Sequence, residues 1–97
     1  MTGQYLLRRE MGCTRAEFFR YLPGATRHAQ LKIDGDRITV PILDGCLEIE
    51  LAERPVRRIG SFALPVLAVT FRFTGLDEAT RDDFLAYFDL CTRRGGG

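Results

Sequence analysis

Residues 28–51 read HAQLKIDGDRITVPILDGCLEIEL. Apolar side chains alternate with polar ones at Ala29, Leu31 and Ile33, then at Ile38, Val40 and Ile42, then at Leu47, Ile49 and Leu51. That period of about two is the signature of half-buried strands. Asp34-Gly35 and Asp44-Gly45 fall at the reversals, and Asp-Gly is a strong hairpin signal. With two-residue loops there, Leu31 faces Ile38 and Ala29 faces Val40. Likewise Ile42 faces Leu47, Val40 faces Ile49 and Ile38 faces Leu51. Pro41 conflicts with the second register, because its missing N–H would point at the strand carrying Glu48. A bulge near Pro41 or a longer turn is expected to resolve the conflict.

Outward from this stretch, residues 5–11 read as a strand with Tyr5, Leu7, Arg9 and Met11 on one face. Arg9 is the odd member. It either pairs with a carboxylate at the strand end or grips an anion at a cavity rim. Thr14 and Glu17 have capping-box spacing, and Phe18, Phe19 and Leu22 form the apolar stripe of a short helix. Pro23-Gly24 is expected to end or bend it. Beyond the double hairpin, residues 53–55 read as a turn, 56–62 as a fifth strand bulged at Gly60, and 63–65 as a reversal. Residues 66–73 form the clearest strand, with Leu67, Val69, Phe71 and Phe73 on one face. Asp77 is the expected N-cap of a last helix whose core stripe is Phe84, Leu85, Phe88 and Cys91. Gly95, Gly96 and Gly97 read as a flexible tail.

The expected fold is therefore α+β, a single domain over residues 1–97. About six strands form one curved antiparallel meander, with a short N-terminal helix and a C-terminal helix packed across it, in the order β-α-β5-α. This order resembles the TATA-binding-protein-like and helix-grip (START and Bet v 1-like) architectures. The resemblance covers the whole chain but is carried by element order and by no sequence motif. It implies a cleft between the last helix and the sheet, lined by Arg9, Phe71, Phe73, Phe84, Tyr87 and Phe88, with Arg9 or Tyr87 as polar anchor. The tail, Arg94 to Gly97, is weakly similar to those of short uncharacterised bacterial proteins, which implies no activity.

Composition narrows the function classes. Ninety-seven residues bury a little over about 60% of their unfolded surface, enough for one modest core. A net charge of +1 supplies no general field for nucleic acid or anionic membrane. The basic pairs Arg8-Arg9, Arg57-Arg58 and Arg93-Arg94 are therefore read as local features. Arg8 and Arg72 are expected close together on the outer sheet face, offset by Glu10, Glu48 and Glu50. Nucleic acid is disfavoured as a partner. The apolar run at 62–69 contains Pro65 and is too short to span a bilayer. No secretory h-region precedes Met11, and Cys13, Cys46 and Cys91 form no C-x-x-C pair, which suits a reducing cytoplasm.

No chemical motif stands out. Cys13 precedes a helix start, where a thiol pKa can fall, and His28 is the single histidine. Nothing in the spacing brings them together, so a turn cysteine and a solvated histidine is the plainer reading. One histidine and three scattered cysteines make no metal-ligand pattern. Glu48, Glu50, Asp82 and Asp83 read as solvated charge. No cofactor and no catalytic residue is assigned. Seven phenylalanines are expected to fill the core. Leu6, Leu43 and Cys46 are apolar on the outer face, and a meander leaves its edges open. The preferred expectation is a non-enzymatic domain acting through protein association, with a homodimer through an edge strand or apolar patch. A small apolar-ligand binder is the alternative.

Overall fold

The computed structural model describes residues 3–96. In chain order the elements are β1 (Gln4–Met11), α1 (Arg15–Ala25), β2 (Lys32–Asp34), β3 (Arg37–Ile42), β4 (Gly45–Ile59), β5 (Phe62–Thr74) and α2 (Glu78–Gly96). The strands form one antiparallel sheet in the order β1-β5-β4-β3-β2. The class is α+β as expected, with five strands in place of about six. α2 takes in Gly95 and Gly96 of the expected tail, and Gly97 lies outside the described residues.

The core follows the alternation. Ile38 and Val40, then Leu47, Ile49 and Leu51, then Leu67, Val69, Phe71 and Phe73 are buried on one sheet face. Phe18, Leu22 and Ala25 of α1 and Phe88 of α2 close over them. The rings of Phe71 and Phe88 meet edge to face at 5.2 Å. Both helices therefore serve the same face, and the opposite sheet face carries the charges.

Both hairpin registers differ by two residues from those expected. Ile33 faces Ile38, Val40 faces Leu47 and Ile38 faces Ile49. The loops are Gly35-Asp36 and Leu43-Asp44. A shift of two keeps every side chain on its own face, so the apolar pattern is blind to it. Backbone contact decides. A Cβ on Gly45 would lie 2.3 Å from the Thr74 carbonyl oxygen, so Gly45 is spent on the close approach of β4 to the end of β5. Leu43 takes the turn position, at φ 50°. The new register also settles Pro41 without a bulge or a longer turn. In a two-residue hairpin Ile42 and Gly45 form the hydrogen-bonded pair, which makes Pro41–Cys46 a non-bonded pair. The Pro41 nitrogen then faces away from β4, beyond Lys32, where β2 ends opposite Thr39.

The larger correction lies downstream. The expected turn at 53–55 and reversal at 63–65 are absent, and two expected strands are one. β4 runs straight through Pro55 for 15 residues, and its pairing with β5 slips between Arg54 and Arg57. Pro55 cannot donate to the ladder, but a bulge accommodates it without reversing the chain. Pro65 lies opposite that same bulge, between the Arg54–Val66 and Arg57–Leu64 pairs. The reversal is at Gly60-Ser61, with Ile59 facing Phe62 and Gly60 at φ 61°.

β1 stops at Met11 opposite Leu67, and β3 stops at Arg37 opposite Glu50. Beyond those points β4 and β5 pair only with each other, as a two-stranded arm. Its strands, residues 54–59 and 62–66, extend about 17 Å at strand rise. The molecule measures 49 × 25 × 22 Å, with the arm forming one end.

Both helix starts follow their caps. The Thr14 hydroxyl accepts from the Glu17 amide at 3.1 Å, and the Glu17 carboxylate accepts from the Thr14 amide at 2.8 Å. α1 does not end at Pro23. It continues to Ala25 because Leu22 and Ala25 are buried and its end is closed by hydrogen bonds. The His28 amide donates to the Pro23 carbonyl at 2.7 Å and the Arg27 amide to that of Gly24 at 3.1 Å, a Schellman closure. The buried Thr26 hydroxyl donates to Leu22 at 2.9 Å.

At α2, hydrogen bonding from the Thr80 side chain, and from the Thr80 amide at 2.8 Å, lowers the Asp77 carboxyl pKa from its ordinary value. That stabilisation is present above the unfolded value of about 3.9 and fades as pH falls through the lower folded value. Asp77→Ala is expected to lower Tm at pH 7, and its difference from wild type to narrow below about pH 4. Thermal melts followed by circular dichroism at the two pH values check this.

Candidate functional site

Three places concentrate features that the core does not explain. The first is a cleft of about 230 Å³ where the end of α1, the end of β3 and the first turns of α2 meet. Val40, Ile42 and Phe84 supply apolar wall, and Tyr87 closes one side. Arg27 lies over the Tyr87 ring at 4.2 Å, within 3.8 Å of Asp83. Leu43 stands at the rim with 84% of its surface exposed.

Of the residues expected in a ligand cleft, Phe84 and Tyr87 are brought together here. Phe71, Phe73 and Phe88 are buried and packed ring on ring in the solid core. Arg9 lies on the other flank of α2. Its guanidinium pairs with Asp89 and rests over the Phe71 ring at 5.2 Å. Sequence spacing hid this pair. Asp89 reads as a solvated helix residue beside Arg93, and only the packing of α2 against β1 turns it to Arg9.

The second place is the arm. Val56, Ile59, Phe62 and Leu64 are all exposed on it, Phe62 to 70%. Arg54, Arg57 and Arg58 accompany them against the single acid Glu53. Ile59, Phe62, Arg57 and Leu64 share one face of the ladder, because Ile59 faces Phe62 and Arg57 faces Leu64. Sequence reading placed Phe62 in the core, since the arm is invisible until the bulge is known. Its only sequence signal is a mixed apolar and basic stretch bounded by Pro55 and Pro65.

The third place is the neighbourhood of Cys13. The thiol is buried, and burial together with Glu17 raises its pKa, so it stays protonated at neutral pH. His28 is exposed beyond the far end of α1. An 11-residue helix separates the two by about 16 Å, which rules out a Cys–His pair.

On the outer face Arg72 is held by Glu48 at 3.3 Å and Glu50 at 3.8 Å, and Arg57 by Glu10 at 3.7 Å. The basic residues there are largely paired. Leu6 opposite Arg72 and Cys46 opposite Thr74 share the outer face at the end of the sheet where the β3–β4 turn carries Leu43. Among the described residues, no group of three His, Cys, Asp or Glu is placed to hold a metal ion, and no helix is long and apolar enough to cross a membrane.

The fold and these surfaces define an α+β domain with a projecting β arm. No family model matches the chain, and no curated protein or solved structure matches it.

Proposed function

We propose that this chain is a non-enzymatic cytoplasmic association module that engages its protein partner with the β4–β5 arm. The observation that supports this reading is the cluster of Val56, Ile59, Phe62 and Leu64, exposed on a projection that no other element covers. An isolated two-stranded hairpin is marginal in water, and apolar side chains on it gain nothing until a partner removes them from solvent. Both arm edges also leave backbone groups open to further pairing. The three free thiols suit the reducing compartment assigned to it.

Ile59→Ser/Phe62→Ser is the test. Both side chains are largely exposed, so Tm is expected to stay within a few degrees of wild type, while partner capture from cell extract falls at least about tenfold. Equal capture by variant and wild type overturns the reading. The second reading, a small apolar ligand in the α2–β3 cleft, is favoured by the Phe84 and Tyr87 walls. At about 230 Å³ the cleft lies below the usual range for ligand sites. Native mass spectrometry of protein purified without refolding decides it. A non-covalent adduct released on denaturation supports a ligand, and a bare ion counts against one.

A further inference from the structure

We propose that the arm tip of one copy docks in the α2–β3 cleft of another, so that the chain associates with itself head to tail. This rests on the reading of the arm as the contact element and names its partner.

Topology makes such a contact intermolecular. The tip, at Ile59 and Phe62, and the cleft, beside the β3–β4 turn, lie at opposite ends of the β4–β5 ladder. From Phe62 to Thr74 the strand rises about 40 Å, so an arm cannot reach its own cleft.

The two ends are complementary in charge. The arm carries Arg54, Arg57 and Arg58 against Glu53, with Glu10 of β1 at its base 3.7 Å from Arg57. The cleft end carries Asp44, Asp77, Glu78, Asp82 and Asp83 against Arg27 and Arg81. A net charge of +1 for the whole chain hides this separation along its long axis. The same charges disfavour a symmetric arm-to-arm contact, which would set one copy's arginines against the other's.

The ends are also complementary in shape and polarity. The tip presents an aromatic and a branched aliphatic side chain side by side. The cleft offers apolar wall from Val40, Ile42 and Phe84, an aromatic face at Tyr87 and an unburied Leu43 at its rim. A cavity of about 150 Å³ already accepts benzene, so about 230 Å³ admits the Phe62 ring. Docking removes Phe62, Ile59 and Leu43 from water together and brings Arg57, which shares the Ile59 and Phe62 face of the ladder, toward the acids of the cleft end.

Because tip and cleft are different surfaces, the interface is heterologous. Each added copy leaves one arm and one cleft free, so association continues past a dimer unless a ring closes. One hairpin tip in one cleft is a small contact, of the weak and transient class.

Sedimentation velocity from about 5 to about 500 µM tests this, a range suited to weak contacts. Wild type is expected to show concentration-dependent species larger than the monomer, ending at a dimer where two copies dock reciprocally and extending beyond it otherwise. These species recede as NaCl is raised, because the charge term is screened. The arm variant Ile59→Ser/Phe62→Ser and the cleft variant Leu43→Gly/Asp83→Lys are each expected to remain monomeric alone. Mixed in equal amounts, they are expected to form a one-to-one complex and stop, since the mixture holds one good arm for each good cleft. All substituted side chains are exposed, and a single cooperative melt for each variant confirms that it folds.

Other outcomes overturn the proposal in different ways. If the cleft variant associates like wild type, the partner surface is elsewhere and only the arm reading survives. If the arm variant also associates like wild type, both fall. A wild type that stays monomeric throughout removes self-docking and leaves the arm to be judged by the capture comparison. A monomer that binds a random-sequence DNA duplex through its arm arginines, with no self-association, replaces this partner with nucleic acid.

Discussion

Phe88→Ala lowers the folding stability by about 3–5 kcal/mol, the range for deleting a buried aromatic ring. Phe88 has no exposed surface and lies where both helices meet the sheet. Its ring touches those of Phe71 at 5.2 Å, Phe84 at 5.9 Å and Phe18 at 6.0 Å, so its loss opens a cavity shared by β5, α2 and α1. These neighbours are themselves held in place by the sheet and by α1, and they cannot collapse to fill the space. Native domains are stable by only about 5–15 kcal/mol, so the variant is expected to be partly unfolded at 37 °C. Urea titration at 25 °C measures the loss. Phe62→Ala is the control: the same truncation at a residue 70% exposed is expected to cost less than about 0.5 kcal/mol. Equal losses at the two sites would mean that the arm is packed against the body.

Gly45→Ala is expected to destabilise by about 2–4 kcal/mol, at the upper end of what overpacking costs. The added methyl would lie 2.3 Å from the Thr74 carbonyl oxygen and 2.8 Å from the Gly75 backbone. Those atoms are backbone, so relief means separating β4 from β5 at the end of the longest ladder in the sheet. Leu43→Gly, two residues earlier, is expected to do the opposite. Leu43 pays for a left-handed conformation at φ 50° while its side chain stays in solvent. Glycine removes that strain at some cost in chain entropy, for a net gain of about 0.5–1 kcal/mol. Thermal melts of the two variants should therefore move in opposite directions. If Gly45 sat in the turn instead, alanine there would be strained by its dihedrals, and Leu43→Gly would bring no gain.

The Gly45 contact also explains why the second hairpin differs by two residues from the register its Asp-Gly implies. Asp-Gly at 34–35 and 44–45 is a local turn signal. Gly35 does sit in a turn, at φ 62°, but as its first residue. Gly45 answers a contact with Thr74, about thirty positions away in sequence, which no local pattern reports. The candidate site was legible in part for the same reason. Helical spacing placed Phe84 and Tyr87 on α2, and the cleft beside them exists because β3, the end of α1 and α2 converge. The pairing of Arg9 with Asp89 spans 80 positions and belongs to packing alone.

Side-chain parity along the strands, the apolar stripes of α1 and α2, and the caps at Thr14 and Asp77 could all be read from the chain, because each depends on residues within one helical turn or one strand. The α+β class followed from their order. The number of strands, the hairpin registers, the burial of Cys13 and the projecting arm could not. Each turns on what lies beside a residue from a distant part of the chain. The arm shows this most plainly. Pro55 and Pro65 look like two reversals when read one at a time, but across the ladder they face one bulge, and the chain runs on past both to turn at Gly60.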